Sequence, residues 1–199
     1  CKDIFKLLKP NGVWILELSY FPLLLKNLTY DQICHEHVSY YTLSVFKDLA
    51  EKNNFKIINV SLNEINGGSI QIICSKFSSK IKVQNKSFIT SILKDENKIK
   101  LKSFENFNKR ILFLKKKLLN FFNENKNKKI FGYGASTKGN VVLNYCGLNV
   151  KHLRYICDAN KLKDGSYTPG SNIKIISKNL MIRLHPDYLF ILIWSFRKE

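Results

Sequence analysis

Apolar and polar positions divide this chain into short periodic segments. Residues 3–9 read as the end of a helix, Pro10-Asn11-Gly12 as a turn, and Val13 to Leu18 as an apolar run of buried-strand type. Leu43 to Asn53 predicts a helix with Leu43, Val45, Phe46, Leu49 and Ala50 on one face and Thr42 or Ser44 as its cap. Phe55 to Leu62 alternates like a strand, Asn66-Gly67-Gly68 turns, and Ser69 to Ser75 is a second strand, which together predict a β-hairpin. A doubly wound parallel sheet needs a helix between its last two strands, so the hairpin is expected to insert one antiparallel strand at the edge. Residues 82–126 are lysine-rich with an apolar stripe of helical period (Ile89, Ile92, Leu93, Ile99, Leu101, Phe104, Phe107, Ile111, Leu114, Leu118 and Phe122), predicting one or two long helices. From Lys129 the pattern changes again. Ile130 to Tyr133, Leu153 to Cys157, Ile173 to Ile176 and Tyr188 to Trp194 read as strands, and Lys138 to Leu148 reads as a helix ending at Gly147. The expected class is α/β, in three parts: 1–80, a helical linker over 81–127, and a second α/β unit over 128–199.

Composition narrows the setting. The chain opens at Cys1 within a helical pattern and stops at Glu199 just after an apolar strand, so it is expected to be a piece of a longer protein. It has no secretory signal and no run of 18 apolar residues, which predicts a cytoplasmic chain with no membrane partner. Its five cysteines are scattered without a CxxC pair, against a disulfide framework or a cysteine-based zinc site in this piece. The net charge of +18 invites a nucleic-acid reading. However, only Arg110, Arg154, Arg183 and Arg197 are arginines, and base or bidentate phosphate readout favours Arg over Lys. The tracts Lys115-Lys116-Lys117 and Lys126 to Lys129 are read as solvated helix faces and ends, and no nucleic-acid partner is expected. A positive surface would still attract a small anionic substrate.

Two motifs can carry chemistry. The run Tyr30-Asp31-Gln32-Ile33-Cys34-His35-Glu36-His37-Val38-Ser39-Tyr40-Tyr41 holds two of the four histidines, between a strand and an amphipathic helix. In an extended backbone His35 and His37 share one side and Glu36 faces the other. HxH alone does not make a zinc site, since a third and fourth ligand are needed. Acid–base work fits better, with one histidine as base and Glu36 orienting substrate or a ring nitrogen. The second motif is Phe131-Gly132-Tyr133-Gly134-Ala135-Ser136-Thr137-Lys138-Gly139-Asn140. Strand, glycine turn, then helix is a phosphate-binding arrangement, to which Lys138 could add a charge, and Asp158 ends the next strand where a ribose hydroxyl is often held. The spacing is GxGxxxxG rather than GxGxxG. Asn66-Gly67-Gly68-Ser69 and Asp164-Gly165-Ser166-Tyr167-Thr168-Pro169-Gly170 read first as turns. The second hangs beyond the Asp158 strand.

Taken together, these segments resemble the sugar C-methyltransferase family. The matching pieces are Leu8 to Gly12 with Glu17, Tyr30-Asp31-Gln32 through His35-Glu36-His37 to Tyr40-Tyr41, and Asn66 to Ser69. They continue with Gly132 to Ala135, Lys138-Gly139-Asn140 and Leu143-Asn144, then Asp158 with Asn160-Lys161, Gly165 to Gly170, and Trp194 with Phe196. The resemblance implies that residues 1–80 end a class I S-adenosylmethionine (SAM) dependent methyltransferase sheet, and that 128–199 form a Rossmann-like C-terminal domain. Most of the SAM site and a cysteine-rich zinc segment would lie upstream, leaving Glu17 as this chain's cofactor contact and no metal here. The substrate would be a nucleotide-diphosphate keto-deoxysugar. His37 would deprotonate the carbon next to the ketone, helped by Glu36 and His35, and the enolate would take the methyl group. Substrate contacts would come from Tyr30, Asp31, Tyr40, Tyr41, Asn66, Gly67, Gly68, Ser69, Gly134, Ala135, Ser136, Lys138, Asn140, Asp158, Tyr167, Pro169 and Gly170. Three positions depart from the family pattern: Cys34 where Tyr is common, Asn66 where His is frequent, and Gln71 where Arg is common. An NAD-type oxidoreductase or nucleotide-binding domain is the alternative, resting on Gly132, Gly134 and Asp158. Neither reading identifies the oligomeric state.

Overall fold

A computed structural model describes residues 1–194; Phe196 and Arg197, singled out above, lie outside the described residues. The chain divides into two compact units, Cys1–Thr29 with Val38–Asn108 and Tyr30–His37 with Lys109–Glu199. Among the described residues no helix is long and apolar enough to cross a membrane.

The first unit runs α1 (Lys2–Leu7), β1 (Val13–Ser19), α2 (Phe21–Asn27), α3 (Leu43–Lys52), β2 (Phe55–Asn63), β3 (Ser69–Lys76), α4 (Lys86–Glu96) and the start of α5 (Leu101–Glu124). Both β1 and β2 pair antiparallel with β3, in the order β1-β3-β2. The hairpin's second strand is therefore central among the three rather than at the edge. Helix α3 carries the chain past a strand-wide gap, and β3, whose Ile70, Ile72 and Cys74 are all buried, returns to fill it. β1 is not buried on both faces as its apolar run predicted. Val13 and Ile15 are 40% and 58% exposed, while Trp14, Leu16 and Leu18 pack on the core. The strand period of two separates these sets. Trp14 lies against Phe46 and Phe55, with ring centroids 5.8 and 5.4 Å away.

On α3 only Leu43, Phe46 and Ala50 of the expected face are buried, because at about 100° per residue Leu49 falls on its flank and Val45 on the far side. Helix α2 was not anticipated. Pro22 sits in its first turn and Leu28 closes it in the left-handed region, φ 57°. The lysine-rich stretch forms two helices, α4 and α5. Of its apolar stripe, Ile89, Ile92, Ile111 and Phe122 are buried, while Leu101, Phe104 and Leu114 stay exposed.

The second unit contains the later part of α5, then β4 (Ile130–Tyr133), α6 (Thr137–Cys146), β5 (Ile156–Cys157), β6 (Ile175–Ile176), α7 (Lys178–Leu184) and β7 (Tyr188–Ile191). All four strands are parallel, in the order β6-β5-β4-β7. The chain moves outward from β4 to β5 and β6, then crosses back to β7 on the other side. That reversal is the strand order of a Rossmann-like half, and it makes the carboxyl ends of β4 and β7 the switch point, where open α/β sheets form their ligand crevice. Phe122, Leu143, Leu148, Ile156 and Ile173 form the core on one side; Phe131, Cys157, Ile176 and Met181 form it on the other. Strands β5, β6 and β7 are shorter than their apolar runs, and α7, capped by Ser177 Oγ accepting from the Leu180 amide, was not anticipated.

Candidate active site at the switch point of the parallel sheet

Beyond β4 the chain must turn sharply to start α6. Gly134 does so at φ +92°, and a Cβ there would collide with the Ile193 side chain. Gly132 lies equally close to the next strand, where a Cβ would come within 2.7 Å of Ile156 Cγ1. Ser136 then caps α6, its Oγ accepting from the Gly139 amide at 3.0 Å.

Asp158, at the end of β5, holds this turn together. Its Oδ2 accepts from the Ala135 amide at 2.8 Å and from Lys163 Nζ at 3.1 Å, and its Oδ1 accepts from the Asn160 amide at 2.8 Å. Burial alone would raise this carboxyl's pKa, but the Asn160 amide, Lys163 and the Ala135 amide together hold it below the usual carboxylate range. Lys163 also donates to the Ala135 carbonyl at 2.9 Å. The Ala135 amide and the Asp158 carboxylate, assigned to a nucleotide from sequence, thus also have partners within the chain, as does the neighbouring Gly139 amide.

The histidine segment packs onto this unit. Tyr30–Gln32 form a 3-10 turn in which Asp31 and Gln32 are 3% and 0% exposed. Trp194, just past β7, donates Nε1–H to Asp31 Oδ2 at 2.9 Å. Burial raises the Asp31 pKa, a rise opposed by the Trp194 hydrogen bond and the positive charge of Lys138. The Tyr30 ring stands 5.3 Å from that of Tyr145, with its hydroxyl 3.8 Å from Cys146 Sγ on α6. Burial, before any neighbour, pushes the Tyr30 phenol well above its ordinary range.

Cys34 to His37 form a turn rather than the extended backbone that would set Glu36 opposite the two histidines. The His37 amide donates to the Cys34 carbonyl at 3.0 Å, closing a turn with His35 and Glu36 exposed at its tip and His37 half-buried. Glu36 Oε1 accepts from Thr137 Oγ1 at 2.8 Å, at the first residue of α6. An acidic side chain there is favoured by the partial positive charge of the helix N-terminus.

The two motifs, widely separated in sequence, therefore meet at the carboxyl ends of β4 and β7. Tyr30, Asp31, His35, Glu36, His37, Gly134, Ala135, Ser136, Lys138, Asn140 and Asp158 all belong to this unit. Tyr167, Pro169 and Gly170 form an exposed loop in it, tied to α6 by Asn144 Nδ2 donating to the Pro169 carbonyl at 3.0 Å. Asn140 Oδ1 is buried with no hydrogen-bond partner among the described residues.

The remaining candidates, Glu17, Tyr40, Tyr41 and Asn66 to Ser69, belong to the first unit. There the Asn66-Gly67-Gly68 turn has φ of 53°, 87° and 137°. The Gly68 carbonyl accepts from the Tyr20 amide at 3.1 Å, and Tyr41's from the Phe21 amide at 3.0 Å, so both segments gather at the start of α2. Glu17 faces solvent on β1, opposite Gln71 on β3. Sequence reasoning missed Thr137 and Lys163. Thr137 had a readable signal, the first position after a Ser cap, but Lys163 had none. No group of three or more His, Cys, Asp or Glu side chains placed to hold a metal occurs among the described residues.

Comparison with known proteins adds an independent line. The family described as C-methyltransferase C-terminal domain matches residues 64–199. A curated relative, the C-methyltransferase NovU of Streptomyces niveus, is 30% identical over 97% of this chain. The chain spans about half of that relative's length, 47%. The match across both units, and the family profile over most of the chain, show that this chain belongs to the C-methyltransferase C-terminal domain family.

Proposed function

We propose that this chain belongs to a SAM-dependent C-methyltransferase whose substrate is a nucleotide-linked keto-deoxysugar, with His37 as the base. One observation carries the reading. The His35-Glu36-His37 turn lies at the crevice of the parallel sheet, pinned through Asp31 to Trp194 and through Glu36 to Thr137. Ligands of open α/β sheets bind there. A ketone acidifies the neighbouring C–H. A neutral imidazole then removes that proton, and the C–H electron pair passes into the enolate. Glu36 orients a sugar hydroxyl or the imidazole, and Lys138 with the start of α6 attracts the diphosphate. The unpartnered Asn140 Oδ1 offers an acceptor to a sugar or ribose hydroxyl. Glu17 on an open strand face does not by itself form a SAM site, so the chemistry assigned to this chain is proton removal and substrate holding.

Two measurements test this reading. In an active protein carrying this chain, His37→Ala should lower kcat at least ~100-fold, the low end of general-base contributions, while nucleotide-sugar affinity stays within about twofold. Wild-type turnover by the variant would remove His37 from the mechanism. A thermal-shift panel with dTDP, UDP, GDP, NAD and SAM should show stabilisation by a nucleoside diphosphate. Stabilisation by NAD instead would favour an oxidoreductase.

A further inference from the structure

The opposite end of the parallel sheet carries a second feature. Lys126 to Ile130, leading into β4, and Val150 to Arg154, leading toward β5, form the walls of a cleft of about 380 Å³. The two walls are joined by the Arg154 amide donating to the Ile130 carbonyl at 3.2 Å. At its base the Phe122 ring meets His152 edge-to-face at 5.7 Å. Lys126, Lys128, Lys129, Lys151 and Arg154 line it, and no Asp or Glu does. All five are exposed, and none forms an ion pair with a carboxylate among the described residues.

Like charges crowded into a concavity repel one another, and an anion bound among them relieves that repulsion. The volume lies within the ordinary range of small-ligand sites. It suits a compact polyanion better than a duplex, which needs an extended face. Being at the amino ends of the strands, the cleft is separate from the crevice that holds the histidine turn. We propose that this cleft is a second anion site that binds an oligophosphate chain, either free or as the tail of a nucleotide. The tract Lys126 to Lys129, read from sequence as a solvated helix end, is one wall of that site.

Titration calorimetry on the 199-residue chain at low salt tests the proposal, with tripolyphosphate as the probe and orthophosphate as reference. Tripolyphosphate should bind at least tenfold more tightly than orthophosphate. The exposed pair Lys128→Glu/Lys151→Glu should weaken it at least tenfold. Lys94→Glu/Lys102→Glu, an equal change in net charge made in the first unit, should leave it within about twofold. ATP without magnesium separates the sources: equal affinity indicates the phosphate chain alone, and tighter binding lost in the same cleft variant indicates a nucleotide tail. No binding by wild type, equal loss in both pairs, or full binding by the cleft variant would overturn the proposal. So would single-stranded RNA that competes with tripolyphosphate for the cleft and binds it more tightly.

Discussion

At the residue scale, the site depends on backbone and charge placed where substitutions have separable costs. Gly134 and Gly147 both have positive φ, +92° and +73°, but only Gly134 is crowded, against Ile193. Gly147→Ala should therefore cost about 1 kcal/mol for its left-handed backbone alone. Gly134→Ala should cost about 3 kcal/mol or more, because overpacking adds to the strain. Urea denaturation of the two variants compares them directly, and equal losses would mean that Ile193 yields freely. The carboxyls of Asp158 and Asp31 should respond to pH with opposite signs. Asp158 has a lowered pKa, so its stabilisation is present above the unfolded value of about 3.9 and fades as pH falls through its folded value. Asp158→Asn should lose about 1.5–3 kcal/mol at pH 7, and less near pH 3. Asp31 has a raised pKa, so the stability linked to its protonation is full below about 3.9 and lost as pH rises through its folded value. Asp31→Asn keeps an acceptor for Trp194 and should be neutral or stabilising at pH 7, with the gain vanishing near pH 3. A loss at pH 7 matching that of Asp158→Asn would show the ionised Asp31 to be stabilising.

At the element scale, a carboxylate fixes where α3 begins. Glu96, at the end of α4 and 7% exposed, accepts from the Tyr20 hydroxyl at 2.7 Å, from the Ser44 amide at 2.9 Å and from the Leu43 amide. Thr42 adds a weaker cap to the Val45 amide at 3.3 Å. Glu96→Ala leaves three donors unsatisfied and should cost about 3 kcal/mol, whereas Thr42→Ala should cost about 1 kcal/mol. Chemical denaturation giving the reverse order would make the side-chain cap dominant. Such a bond across 53 positions cannot be seen in local spacing, although Thr42 itself could be. The same divide runs through the other elements. Hydrophobic period located α3, β2, β3, β4 and α6, because each buries its own apolar face. It missed α2 and α7, seven-residue helices too short for a clear period. It also overstated the burial of β1, since a run apolar on both faces reads the same whether one face or both are covered. The glycine turn and the histidine segment were each legible through their residue types. Their meeting at Thr137 and Trp194 was not, because hydrogen bonds across 101 and 163 positions, which no local spacing reveals, hold residues 30–37 against the ends of β4 and β7.

At the scale of the whole molecule, charge is the property that no single element explains. The chain has 33 Lys and Arg against 15 Asp and Glu, a net charge of +18. Lys47–Glu51 and Asp95–Lys98 are i,i+4 and i,i+3 pairs at exposed positions on or just past a helix, and such contacts contribute little against an excess of 18 cations. Most of the positive charge therefore repels itself across the folded surface, more strongly than in the expanded chain, and this lowers the stability of the compact state. Salt shortens the range of that repulsion, from about 30 Å at 0.01 M to about 8 Å at 0.15 M. The thermal midpoint should thus rise by several degrees as sodium chloride goes from about 10 to 150 mM, since 1 kcal/mol shifts a chain of this size by about 2–4 °C. Most of that rise should persist in Lys128→Glu/Lys151→Glu, because screening acts on every lysine and not on one cleft. A flat or falling midpoint would show that attraction between opposite charges outweighs the excess of positive charge. A rise abolished by the cleft pair alone would place the repulsion there rather than across the surface.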